Sequence, residues 1–212
     1  MVTMEFFTSA LVGPFIVLTA KHKGHLSKQW ENYQGRAKVT FQPNHWMDAL
    51  VAKKYLNWLK NLYPRKIIGL LWDHAGPHIS TEVVEYAQRL GIVVDFINKG
   101  MTSVQQPCDL YANQRIKKVV KELYHEYRLT LAFDEQTNVK VPRELFLSWV
   151  ETAVDTVHQG QRLNMEIRRV FQKCGLDPYD TERLLFEKHL ETLSTEALYK
   201  ALTEGQTATM LL

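Results

Sequence analysis

The sequence predicts a mixed α/β fold, and three observations carry that expectation. Two short runs of branched and large apolar residues, IIGLLW (67–72) and IVVDFI (92–97), flank an amphipathic stretch, TEVVEYAQRL. A helical period precedes the first run, with Met47, Leu50, Val51, Tyr55, Trp58, Leu59 and Leu62 recurring every three or four residues. Beyond residue 129 the pattern reads as helix throughout.

The elements follow in order. VTMEFFTSA and FIVLTA are rich in β-branched and aromatic residues around LVGP, which predicts an antiparallel hairpin turning at Gly13-Pro14. KHKGHLSKQWENYQGRAK is polar and basic, so it reads as an exposed loop, and KVTFQ follows as a short strand. The helix over 47–62 stops at Pro64. IIGLLW is then a buried strand, Ser80 an N-cap for the next helix, Gly91 its stop and IVVDFI a second buried strand. Strand, helix and strand joined by short connections predict a right-handed parallel crossover. After a loop at NKGMTSVQQP, a helix over 110–128 carries an apolar stripe of Ile116, Val119, Val120, Leu123 and Tyr127. Lys118, Lys121, His125 and Arg128 lie opposite. Pro142 opens a further helix, Asn164 caps another that stops at Gly175, and 181–202 holds one or two more before a frayed GQTATMLL tail.

At 212 residues with 45% apolar composition, the chain has the material for a sizeable core. No apolar run approaches membrane-spanning length, and MVTMEFFTSA lacks the basic opening of a secretory signal. Cys108 and Cys174 form no disulfide or zinc pattern, which fits a reducing compartment. Residues 1–128 hold 17 Lys/Arg against 10 Asp/Glu, whereas 129–212 hold 9 against 13, so any polyanion is expected to meet the first part.

Phosphate loops, dinucleotide fingerprints, nucleophile elbows and His-Glu-x-x-His are absent. What remains is a pair of carboxylates. Asp73 ends a core strand, where ligands of open α/β sheets gather, and Asp109 opens the basic helix. Converging carboxylates on rigid elements suit Mg²⁺ or Mn²⁺, and Lys117, Lys118, Lys121 and Arg128 would hold a nucleic-acid backbone beside them. Plainer readings stand next to these: Asp109 as an N-cap, Asp73 as a turn residue, the cations as a solvated face. His22 with His25, or His74 with His78, suggest a metal pair but lack further ligands for zinc.

LLWDHAGPH and SVQQPCDLYANQRIKKVVKELYHEYR, with 35 residues between Asp73 and Asp109, resemble the DDE superfamily endonuclease domain of pogo- and Tigger-like transposases. In that family a strand ends in the second acid with a His five residues on, matching Asp73 and His78. The third acid follows Gln-Pro-Leu, matching Gln106, Pro107 and Asp109, with Cys108 replacing Leu. HWMDALVAKKYLNWL resembles the family's Gly-Trp-Met helix with His45 for Gly, and Trp149 with FQKCG resembles its closing helices. The resemblance spans about residues 2–178. It implies an RNase H-like core over 1–128 lacking its first strand, and a helical extension over 129–212.

It further implies a nuclear protein that binds DNA, forms possible homo-oligomers, and has neither a membrane nor a small-molecule substrate. Chemistry would be Mg²⁺- or Mn²⁺-dependent in-line attack by water or a DNA 3′-hydroxyl, with Asp73 and Asp109 as catalytic metal ligands and His78 orienting or shielding the site. The family's first acid and its upstream DNA-recognition helices are not found in this sequence. Glu5 falls on the family's second strand, so its carboxylate is expected elsewhere, and Asp48 and Asp95 match no family acid. A truncated or domesticated DNA- or protein-binding relic is therefore the alternative. An RNase H-like nuclease unrelated to transposition is a third.

Overall fold

The computed structural model describes residues 1–5, 10–20, 30, 33, 35–44, 46–131, 139–159 and 163–176. The expected helices of 181–202 and the KHKGH histidines lie outside them. Among these described residues six strands run in chain order: β1 (Thr3–Glu5), β2 (Ala10–Val12), β3 (Phe15–Thr19), β4 (Lys38–Gln42), β5 (Ile68–Trp72) and β6 (Ile92–Phe96). The helices are α1 (Ala49–Leu62), α2 (Thr81–Arg89), α3 (Thr102–Gln105), α4 (Asn113–Thr130), α5 (Arg143–His158) and α6 (Leu163–Lys173). A π-helical turn, Cys108–Ala112, leads into α4. The class is mixed α/β. No described helix is long and apolar enough to cross a membrane.

The strands form three pairs: β1 with β2 antiparallel, β3 with β4 parallel, and β5 with β6 parallel. The β5–α2–β6 unit is parallel as the sequence predicts. The hairpin differs from expectation. β1 and β2 pair with each other ahead of Gly13-Pro14, which instead redirects the chain into β3, paired with β4. Pro14 has no N–H for a ladder, and its carbonyl accepts from Lys38 N–H at 2.9 Å. Gly13 has φ +127°, and a Cβ there would stand 3.4 Å from the Met1 carbonyl oxygen, so a side chain is disfavoured.

Strand alternation divides the core between two helical layers. On one side Phe15, Leu70 and Trp72 pack with Val51, Tyr55, Leu56 and Leu59 of α1, Val83 and Ala87 of α2, and Ile92. On the other, Val2, Met4 and Leu11 meet Tyr111, Ile116, Ala153, Val154 and Ile167. Ile16 and Phe41 meet Leu147 on that same helical side. Helix α4 therefore runs past residue 128, and α5 and α6 share their buried faces with the first strands.

Asp48, which precedes α1, accepts from Val51 N–H at 2.8 Å and caps the helix. Asp48→Ala should cost about 1 kcal/mol, read as a lower urea midpoint with unchanged slope. Ser80 stands at the N-cap position of α2, but its hydroxyl donates to the Pro77 carbonyl at 3.1 Å and its side chain makes no capping bond. At the other end Gly91, with φ +70°, terminates that helix as predicted. Helix α6 begins at Leu163, one residue ahead of the expected cap.

Candidate metal and nucleic-acid site

A cavity of about 1030 Å³ separates β1 from β5, and both candidate carboxylates line it. Asp73 reaches it from the end of β5, and Asp109 from the π-helical turn. His78, Gln106 and Asn113 line it too. Two acids 36 residues apart in sequence thus line one space, one from the end of a parallel strand and one from a helix start.

Asp73 is half-buried and is held by His78, whose Nδ1 is bonded to Asp73 Oδ1. An ionised carboxylate only accepts, so Nδ1 carries the proton in this bond. The buried His78 ring stacks on Trp72 at 3.9 Å between centroids and 15° between planes, and its Nε2 lies 2.9 Å from Met47 Sδ. The His78 hydrogen bond holds the Asp73 carboxyl below its ordinary range, against the opposing effect of desolvation. A lowered carboxyl pKa contributes stability that is present above the unfolded value and lost as pH falls through the folded one. His78→Phe keeps a ring on Trp72 and removes the bond. It should abolish that part of the acid dependence, seen as a smaller fall in urea midpoint between about pH 5 and pH 2.

Asp109 is also half-buried, and it makes no capping bond of the kind the plainer reading proposes. Asn113 Nδ2 donates to its Oδ1, one helical turn away, while its own N–H donates to the Gln106 carbonyl at 3.1 Å. The Gln106 side-chain oxygen is buried and has no hydrogen-bond partner among the described residues. The donors that line the cavity are therefore hard oxygen, the carboxylates of Asp73 and Asp109. Such donors suit one Mg²⁺ or Mn²⁺ that keeps several waters. They do not suit a two-ion clamp, since no group of three His, Cys, Asp or Glu gathers among the described residues.

The remaining candidates fall elsewhere. Lys117, Lys118, Lys121 and Arg128 are all exposed on α4, with Lys118 4.0 Å from Glu122, which partly offsets it. Lys117 and Lys121 border a shallow groove with Val120, Tyr124, Phe146 and Val150. The opposite face of the helix packs as expected, and Tyr127 and Tyr124 meet Trp149 edge-on. Glu5 lines the same cavity but is bonded to Tyr63 Oη at 2.7 Å, next to the start of β5 and away from Asp73. His74 is exposed and lies edge-on to Phe96. Asp95 is exposed and accepts from its neighbour's N–H.

Sequence reasoning missed Asn113 as the partner of Asp109. The four-residue spacing on a helix is its signal. It also missed Cys108, whose thiol donates to the Val2 carbonyl oxygen at 3.6 Å and is pushed up to about 11 by burial.

No family model, curated protein or solved structure matches this chain. The reading of function rests on the residues and their arrangement.

Proposed function

We propose that this chain is a transposase-derived domain of the DDE type with an RNase H-like fold, which binds DNA through α4. When its metal site is complete it would cleave or transfer phosphodiester strands with Mg²⁺ or Mn²⁺. The observation that carries this reading is the shared cavity of Asp73 and Asp109, at the foot of a helix that presents four exposed cations.

Each residue has a task in this reading. Asp73 and Asp109 would hold the cation. His78 fixes the rotamer of Asp73 and keeps it ionised, and Asn113 orients Asp109. Lys117, Lys118, Lys121 and Arg128 would neutralise backbone phosphates, which gives affinity without sequence preference. A divalent cation supplies activation of water or hydroxyl and stabilisation of the leaving oxygen.

One observation favours a second reading of the chain by itself. No third carboxylate joins Asp73 and Asp109 among the described residues. As it stands, the chain is expected to bind DNA without cutting it.

Duplex binding measured by anisotropy across a salt series, with chelator present, tests the DNA surface. Four phosphate contacts predict a slope of about −3.6 in log K against log salt, reduced by about 2 in the Lys118→Gln/Lys121→Gln double variant. A salt-independent affinity would remove α4 as the contact surface. If a form of the protein supplying a third acid nicks DNA with Mn²⁺, and its Asp73→Asn variant nicks equally well, the metal assignment fails.

A further inference from the structure

Among the described residues, β1 and β5, which border the large cavity, each have a hydrogen-bonded neighbouring strand on one side only. In β5, Ile68 N–H donates to the Gly91 carbonyl at 3.2 Å, and the Trp72 carbonyl accepts from Ile97 N–H at 2.8 Å. In a parallel ladder the N–H and C=O of one residue point the same way and alternate along the strand. Ile68, Leu70 and Trp72 therefore face β6, and the backbone groups of Gly69 and Leu71 face the cavity. Gly69 is exposed, and a Cβ added there would meet nothing within 4 Å. In β1, Met1 exchanges backbone bonds with Phe15 at 2.6 and 2.9 Å, so the odd positions face β2 and β3. The Val2 carbonyl turns to the cavity, where the Cys108 thiol meets it beside Met4 N–H. Among the described residues the β5 edge is thus unfilled, and across the space the β1 edge is met by the Cys108 thiol.

The size of that space selects its occupant. Five residues of β5 extend over about 17 Å, so about 1030 Å³ corresponds to a cross-section of roughly 60 Å². An extended strand in a sheet occupies about 4.8 Å by 10 Å, or roughly 50 Å². A helix bonds its own backbone, which would leave the β5 edge unpaired. A small apolar molecule would leave it unpaired as well.

Direction and charge follow from the ends. Thr3 meets Tyr55 in the middle of α1, and Glu5 meets Tyr63 just after its end, so β1 runs along α1 and against β5. A strand parallel to β5 and antiparallel to β1 continues the pairing that each already has. Its N-terminal end would meet Arg65 and Lys66, with Glu5 engaged by Tyr63, and its C-terminal end would meet Asp73 and Asp109.

We propose that this slot is a strand-docking site for another polypeptide. It takes an extended apolar segment of about five residues, acidic at its N-terminal end and basic at its C-terminal end, parallel to β5. The proposal rests on the backbone edges rather than on the metal and DNA reading, so either can fail alone.

The test uses the synthetic peptide Glu-Val-Ile-Val-Ile-Lys, capped and fluorescein-labelled, with the full chain in chelator. Anisotropy should show saturable binding, and amide exchange at Gly69 and Leu71 should slow at least tenfold more than at Leu70. The same peptide N-methylated at its central amides, and a Lys-Val-Ile-Val-Ile-Glu version, should each bind at least tenfold more weakly. Equal binding of the N-methylated peptide would overturn the proposal, because an apolar pocket and not a strand slot would be responsible. Absence of binding would overturn it too. So would protection of Gly69 and Leu71 that rises with protein concentration alone, since a second copy would then fill the slot.

Discussion

Leu147→Ala is expected to destabilise the protein by about 2–5 kcal/mol and to loosen its strands and its C-terminal helices in one transition. Leu147 is fully buried on α5, where it packs with Ile16, Trp30, Ala37 and Phe41 of the β3–β4 side. The same helix buries Ala153, Val154 and Val157 against Val2 and Leu11. Arg36 and Ala37 add backbone and carboxylate bonds to Glu151, the latter at 2.8 Å. A helical appendage outside the core would lose Leu147 with little effect on strand exchange. This packing predicts the reverse: amide exchange of Ile16 and Phe41 should accelerate together with that of α5. Thermal unfolding should remain a single transition at a lower midpoint. Two separated transitions, with the strand amides unchanged, would show that α5 stands apart from the sheet.

The parts of the fold legible in the sequence are those that local patterns encode. The α1 stripe of Val51, Tyr55, Leu56 and Leu59 repeats at helical spacing, and it is the stripe that is buried. Apolar runs such as IGLLW announce parallel strands, but β5 is not the fully buried strand expected: Leu70 and Trp72 are buried while Gly69 is exposed and Leu71 half-buried. Pairing partners are a different matter, because registry between strands distant in sequence leaves no local trace. Gly13-Pro14 carries every mark of a hairpin turn, yet it serves as a bend from one strand pair into the next. β3 and β4 run parallel and share the cluster around Leu147.

Of the candidate site, Asp73, Asp109 and the cation stripe were readable as residue types at positions of known geometry. The setting of Asp73 was not. Trp72 beneath His78, and Met47 beside it, come from three segments that only the folded chain brings together. The π-helical turn likewise depends on burial of Tyr111 and Ala112 against β1, not on any local signature.

Asp73→Asn and Asp109→Asn are each expected to weaken Mn²⁺ binding more than tenfold, measured by titration calorimetry of the chain near neutral pH. Asparagine keeps the shape of aspartate. At position 73 its amide oxygen can still accept from His78 Nδ1, so the fold should survive while the charge is lost. A hard cation gains most from ionised oxygen donors, and with only two carboxylates at hand the loss of either leaves mainly water and amide ligands. If both acids hold the same ion, the double variant should bind no more weakly than about the worse single one, a failure of additivity that independent sites would not show. Glu5→Gln provides the internal comparison. Its carboxylate lines the same cavity but is bonded to Tyr63, and Mn²⁺ affinity should be unchanged. Because His78 holds Asp73 below its ordinary pKa, that carboxylate stays ionised to lower pH than an isolated aspartate, and His78→Phe should move the acid loss of Mn²⁺ binding upward in pH. Should Glu5→Gln weaken the ion as much as Asp73→Asn does, the cation sits along the length of the slot, and its seat is not the end where strand β5 meets the basic helix.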